Sequence, residues 1–511
     1  MGRLSLGFRP RVRLPWLAES PWLGGQVAAT SSASSQSREA GARPTLRMVP
    51  RTRAEKGGDT RVSKLMPWIF RNEVANVEEL RSALLGGSAV VLANVESDEG
   101  RELGAALVNL AKGGTTGVNI VGRMLTDNIA VEIDRNFFIA RIRRALEHRE
   151  QTFRGQSNYR LLNGEGDLLP GVLCDRYGDT LCLQFTALAP EVLFRKELLE
   201  ALKEVMKPKG IVVRCDALED RILERAEVSP PEVAAGIYDS PIDLPAEDGF
   251  VFQADLLSDG WTSGSFFAER RHRNMVGKAL GDLFAARDKP SGIGDSPVGQ
   301  PQASEAGSQR MSAPAKRGRD FRSEGGAKQK AEIPRVLSLF GESLGVYCAA
   351  RGAAVTCALA DLGPGCVSRE RVEALAARNK CADRLSILQL GKEASLNELG
   401  GDALLNSFDI VTLEPPPLAP TYGRLEEGMR QYTAWAQLAA SVTRQGGLLV
   451  VACRDRTITP VKLLRCLNMG VWAAGRKASL VHRSACAGFD FPVHLALQDT
   501  NQLQVIALRV L

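Results

Sequence analysis

From residue 335 to 511 short apolar runs of strand length alternate with stretches of helical character. The strand runs fall at 336–340, 354–359, 385–388, 408–413, 448–453 and 505–510. Alternation of this kind implies a doubly wound α/β sheet, whose ligands bind outside the carboxyl ends of the strands. At 511 residues the chain has room for two to three domains, so further units are expected before residue 335.

Residues 158–179 place Gly, Asp, Pro and Tyr at turn positions between apolar runs. They read as a strand, a Pro170-Gly171 turn and a second strand ending at Gly178-Asp179. With strands at 180–185 and 210–215 and a helix at 192–205, they make a small α+β unit. Short strand-like runs at 89–93, 104–108 and 129–133, separated by Gly-rich turns, suggest a small barrel upstream. Residues 137–146 have apolar spacing of helical period, with Arg141, Arg143 and Arg144 between. Residues 287–330 are rich in Gly, Ser, Pro, Ala and basic residues. Such a segment buries too little surface to offset its ordering entropy, and is expected to be disordered.

No run of about 18 apolar residues occurs, so no membrane span is expected. The ten cysteines contain no CxxC pair, and the four histidines lack metal-ligand spacing, so no metal is expected. A net charge of +6 fits a nucleic-acid partner without requiring one. Residues 1–57 hold ten Arg or Lys against Glu19, Glu39 and Glu55, with an Ala/Ser/Thr-rich stretch at 27–37. That is the composition of an organelle transit peptide, plastid ahead of mitochondrion.

The 158–179 segment resembles the YRLV-x-GE-x-D-x-LPGL-x-VDRYGD signature of one family. Its members are RNA methyltransferases joining a PUA domain to a class I S-adenosylmethionine (SAM) fold. The best-known member makes 5-methylcytosine in bacterial large-subunit ribosomal RNA. Residues 64–73 resemble the family's PUA opening, and 492–511 its last hairpin. The resemblance implies a PUA-like barrel over 61–135 and a linker helix with a small α+β domain over 136–260. It implies a Rossmann-like methyltransferase domain beginning at 261–284, interrupted by the insert at 285–333 and completed over 334–511. It also implies SAM as cofactor and RNA as partner, with a homodimer as a further expectation.

Site residues follow by position. Val336 to Val346 matches VLDLFxYTGGF, giving Phe340, Gly341 and Gly345 at the cofactor turn, with Ser338 for the family's Asp and Leu344 for a Gly. Small residues there let backbone approach a ligand. Leu359 stands where an acid meets the ribose, and Asp361, two residues on, is the expected substitute. Lys392 stands for the Asp near the adenine. Residues 260–273 keep Gly264, Arg270 and Arg273 of the family's G-x-K-T-G-x-F-x-DQR-x-x-R, with Ala268 and Glu269 replacing Asp and Gln. Arg270 is expected on the cofactor carboxylate. Glu414, Pro415 and Pro416 match the DPP motif, the Asp lengthened to Glu. Cys453 matches the nucleophile of GGxLxxxSCS, with Arg454 beside it to favour thiolate. The expectation is an organellar RNA cytosine methyltransferase. Its rival is a catalytically inactive descendant that binds RNA in ribosome assembly.

Overall fold

The strands between Thr45 and Gly236 form two sheets. The computed structural model describes residues 43–49, 62, 66–84, 89–111, 120–216, 223–258, 265–287, 332–362, 366–392, 394–484, 488–500 and 503–511. Gly264, nearly all of the insert and most of the expected leader lie outside them; Thr45–Arg47, expected within the leader, is instead a strand of the first sheet, with Leu46 fully buried. The first sheet holds β1 (Thr45–Arg47), β2 (Trp68–Phe70), β3 (Val90–Glu96), β4 (Glu102–Asn109) and β5 (Ile120–Thr126), ordered β1-β3-β4-β5-β2. Helix α1 (Val77–Ala83) closes its end. The strand expected at 129–133 is instead a turn running into helix α2 (Arg135–Thr152). The physical reason is the cap: the Asp134 carboxylate accepts from the Phe137 amide at 2.9 Å, fixing a helix start there.

The second sheet holds β6 (Asn158–Asn163), β7 (Val172–Tyr177), β8 (Thr180–Phe185), β9 (Gly210–Cys215) and β10 (Ser229–Gly236), ordered β10-β9-β8-β7-β6. Helices α2 and α3 (Leu188–Met206) pack on it through Phe138, Ile142, Phe194 and Leu198. The 158–179 signature supplies the ion pairs of this unit. Arg160 and Asp175, both fully buried, pair through two hydrogen bonds of 2.8 and 2.9 Å. Arg149 grips Asp167 at 2.6 Å through both oxygens. Glu165 accepts from Trp68 at 2.7 Å and Arg123 at 3.1 Å, tying the first sheet to the second. The hairpin β11 (Ile242–Pro245) and β12 (Val251–Ala254) belongs elsewhere: Leu244, Phe252 and Ala254 sit in the core of the third sheet.

That third sheet holds β13 (Arg335–Leu339), β14 (Ala354–Ala360), β15 (Leu385–Leu390), β16 (Phe408–Leu413), β17 (Thr443–Cys453), β18 (Ala478–Ser484) and β19 (Gln504–Val510). Their order is β15-β14-β13-β16-β17-β19-β18. The neighbours from β15 to β17 run parallel, and β19 runs antiparallel between β17 and β18. β16 is buried along its whole length: Phe408, Ile410, Val411 and Leu413 are apolar, and the buried Asp409 and Thr412 are hydrogen-bonded. On one face Val336, Ile410 and Val450 meet Val276 and Leu280 of helix α4 (Arg270–Arg287) and Val346 and Tyr347 of helix α5 (Ser343–Ala350). Helix α6 (Arg369–Arg378) adds Val372 and Leu375 to that core. On the other face Leu337, Val411 and Val451 meet helices α7 (Leu425–Val442) and α8 (Pro460–Ala473). There Trp435 is buried and packs 4.5 Å from Phe340, a contact whose loss to Ala costs about 3–5 kcal/mol.

Candidate active site

The carboxyl ends of β13 and β16 are adjacent in the sheet, so the turns that leave them form one surface. The β13 exit bends at Phe340, whose φ of +66° is the left-handed region. The Glu414 amide donates to the Leu339 carbonyl at 2.9 Å, bringing the β16 exit against this bend. Gly341 is required by that approach: a Cβ there would lie 2.6 Å from Glu414 Oε1. Pro415 is buried and Pro416 half-buried, and they stiffen the lip above.

Gly345 answers to packing instead. A Cβ on it would meet Cys357 Sγ and Ser338 Cβ at 2.8 Å each, so it lets α5 lie close on β13 and β14. Leu344 turns into the core, not toward ligand space as its place in the motif suggested, because helical geometry rotates it onto that packed face. Ser338 is satisfied internally: its hydroxyl donates to the Gly341 carbonyl at 3.2 Å and accepts from Thr412 Oγ1 at 3.2 Å. Leu359 is core, whereas Asp361 and Lys392 are exposed beyond the ends of β14 and β15.

Carboxylates concentrate where the motif lost its Asp. Glu414, Glu342 and Glu269 are all buried at these exits. Glu414 Oε1, Glu342 Oε2 and the neighbouring Ser343 Oγ are buried with no hydrogen-bond partner. Burial first, then repulsion from Glu269 and Glu342, pushes the Glu414 carboxyl up to about 8, against a Thr412 hydrogen bond and Arg454. Burial pushes Glu342 up to about 7, although Arg371 lies 2.7 Å from its Oε1. Glu269 pairs with Arg454. Buried carboxylate oxygens without partners are costly unless a cation completes them, so Glu414 Oε1 and Glu342 Oε2 suit a cationic ligand group. Glu342 was missed in the sequence because the motif gave weight to its glycines. The available signal was an acid in the strand-to-helix turn.

Two expectations require correction. Arg270 does not face the acid cluster. Its Nη2 donates to the Asn158 carbonyl at 2.6 Å, its Nη1 lies 3.3 Å from Asp490 Oδ2, and its guanidinium stacks on Phe153 and Phe267. It joins the second sheet to the third, because the turn before α4 directs it toward β6. Nor does Arg454 promote a Cys453 thiolate. Successive strand residues point to opposite faces, so Arg454 reaches Glu269 while Cys453 enters the α7–α8 side. Cys453 is 1% exposed, and burial with the nearby Asp455 pushes its thiol up to about 12. Glu414 and Cys453 thus leave neighbouring strands on opposite faces of the sheet.

Around the thiol lies a polar network the sequence reading overlooked. Asp455 Oδ2 is 4.0 Å from Cys453 Sγ and accepts from Tyr432 at 3.1 Å. Asp455 Oδ1 accepts from the Ala419 amide at 2.6 Å, and Thr457 donates to the Ala419 carbonyl at 2.5 Å. The network clamps the lip over the thiol. Its signal was the acid two residues beyond Cys453, hence on the same face. Among the described residues no cluster of His, Cys, Asp and Glu could hold a metal ion.

No protein-family model matches the chain. Curated relatives match it nearly end to end. The ribosomal RNA large subunit methyltransferase I of Shewanella amazonensis is 24% identical over 469 residues, 90% of this chain and 99% of the relative. The protein of that description from Aeromonas hydrophila is 23% identical, over 89% of this chain and 98% of its own. A protein from Streptococcus mutans put forward as a SAM-dependent methyltransferase has a TM-score of 0.60 at 16% identity, covering 91% of this chain and all of its own. SMU.776, put forward as a methyltransferase and solved with SAH, has a TM-score of 0.60 at 18% identity, covering 91% and 99%. These likenesses establish the fold as the α/β class I SAM-methyltransferase type.

Proposed function

We propose that the chain is a SAM-dependent RNA methyltransferase acting on carbon 5 of a cytosine in organellar ribosomal RNA. The observation that carries the reading is the cluster of buried carboxylates at the β13 and β16 exits of a class I fold, in which one oxygen each of Glu342 and Glu414 has no hydrogen-bond partner. SAM presents a sulfonium and an ammonium, which are the charges such a cluster fits. The end-to-end likeness to large-subunit ribosomal RNA methyltransferases supports the substrate class.

Glu342 and Glu414 would hold the cationic end of the cofactor, and Asp361 is the acid placed for the ribose. Bound there, SAM supplies an electrophilic methyl group. Cys453 would add its sulfur to carbon 6 of the base and pass its proton to Asp455, the carboxylate 4.0 Å away. The thiol lies behind the 415–420 lip, so the Ala419 contacts to Asp455 and Thr457 must yield for a base to enter. We assign the first sheet, which begins at Thr45, to a PUA-like RNA contact, the chain before it to organelle targeting, and the active state to a homodimer. Sedimentation checks the last of these: a single species of one chain's mass removes it.

A second reading is favoured by Ser338, whose hydroxyl is satisfied within the protein, and by the buried Leu359. On that reading the fold binds RNA in ribosome assembly without methyl transfer. Calorimetric titration with SAM separates the two. Micromolar binding supports the enzyme, and no heat of binding supports the rival.

A further inference from the structure

The segment after β18 is pinned at Asp490. Arg149 donates to its carbonyl at 3.1 Å, the Arg160 amide donates to its Oδ2 at 3.2 Å, and Arg270 lies 3.3 Å from that same oxygen. Phe491 is buried with the Arg160 guanidinium 4.8 Å from its ring centre, and Asn163 donates to the Pro492 carbonyl at 2.8 Å. Next to this anchored stem, Phe489 is 72% exposed. The Arg271 guanidinium stands 4.7 Å from its ring centre. Nothing in the core requires a large aromatic there, and the stem holds it in place.

Its surroundings are cationic. The first turn of α4 carries no acid, against the usual preference at a helix N-terminus. His272 is buried with both ring nitrogens unpartnered beside Arg271, Arg273 and Arg454, the last two paired with Glu269. Arg454 follows Cys453, and its partner Glu269 directly precedes α4, so this surface adjoins the acid cluster.

We propose that Phe489, backed by Arg271, is the platform on which an unpaired base of the RNA substrate stacks. The inference rests on the reading of the substrate as RNA. Single strands are held by aromatic rings and guanidinium planes together with positive charge for the backbone. Chemistry on a base edge requires the base to leave its helical stack, and a fixed ring beside the site compensates for the lost stacking.

The test is fluorescence anisotropy of a labelled single-stranded oligocytidylate with the full chain. Phe489→Ala is expected to weaken binding roughly five- to a hundred-fold, and Phe489→Tyr to retain it. Both variants should keep the wild-type melting temperature and SAM titration, since the side chain lies in water. Unchanged affinity in Phe489→Ala overturns the platform while leaving the RNA reading intact. Failure of the wild-type chain to bind RNA overturns that reading and the platform with it. If Phe489→Ala only converts a dimer to a monomer, with RNA affinity unchanged, the face belongs to a second copy of the chain and the platform is overturned.

Discussion

Replacing Glu414 by Gln should stabilise the ligand-free protein and impair its cofactor binding. The folded-state pKa of about 8 lies above the ordinary 4.5, so the native protein holds a proton that the unfolded chain has released. Stability therefore falls as pH rises from about 4.5 and levels off above about 8. At about 1.4 kcal/mol per pH unit, raising the pH from below 4.5 lowers stability through this group by on the order of 3 kcal/mol at pH 7, where it is still mostly protonated, and by about 5 above pH 8. Glu342, raised to about 7, acts in the same direction, and the two are coupled. Gln keeps the shape and cannot ionise. Thermal melts from pH 5 to 9 should show the wild-type melting temperature declining with pH and the variant declining less. Parallel curves would refute the claim that this carboxylate is buried without compensation.

Cofactor binding gives the same argument a second readout. At pH 7 a group with a pKa of about 8 is ~90% protonated. A cation placed beside it favours ionisation, so SAM binding should expel about one proton from Glu414. Calorimetry in buffers of different ionisation enthalpy measures that number directly. Glu414→Gln should reduce the release by about 0.9 proton at pH 7 and weaken the affinity. Equal proton release in variant and wild type would place the ligand elsewhere.

Cys453→Ala should abolish methyl transfer, followed with labelled SAM, and spare RNA binding; transfer that survives would assign the methyl group to a nitrogen or oxygen instead. Gly166→Ala would set a Cβ 1.9 Å from the Pro492 carbonyl oxygen. Both partners are backbone, so a loss of at least about 2 kcal/mol is expected in denaturant unfolding. A reporter carrying residues 1–60 should enter an organelle on imaging, and a cytosolic signal removes the targeting assignment.

The sheet was legible because the apolar run at 448–453 is unbroken, four of the six residues at 408–413 are apolar, and both are set between helical stretches. The strand at 129–133 failed because apolar content alone does not see a cap, and Asp134 commits the next residues to α2. Position along a motif located Glu414, Gly341 and Cys453 but not their facing. Which side of β17 the thiol occupies depends on strand alternation and on what covers each face. The roles of the most recognisable residues were also hidden. Asp167, Asp175 and Gly166 hold sheets and the C-terminal segment together, and a signature does not distinguish chemistry from a buried ion pair.

The substitutions at the cofactor turn therefore describe a displacement of charge as much as a loss. Ser338 removes a carboxylate from the end of β13, while Glu342, four residues on, returns one to the same surface and Glu414 keeps the carboxylate of the DPP motif on a longer side chain. The exchange has a chemical consequence. An Asp within hydrogen-bond reach of backbone amides remains ionised at neutral pH, whereas Glu414, raised to about 8, is largely protonated until a cation arrives. Binding and proton release become one event, so affinity for SAM should rise with pH up to about 8 and change little beyond it. Titrations at pH 6, 7 and 8.5 test this, with a roughly tenfold change expected per pH unit for one coupled proton. An affinity independent of pH over that range would show that the glutamates do not take the place of the missing Asp.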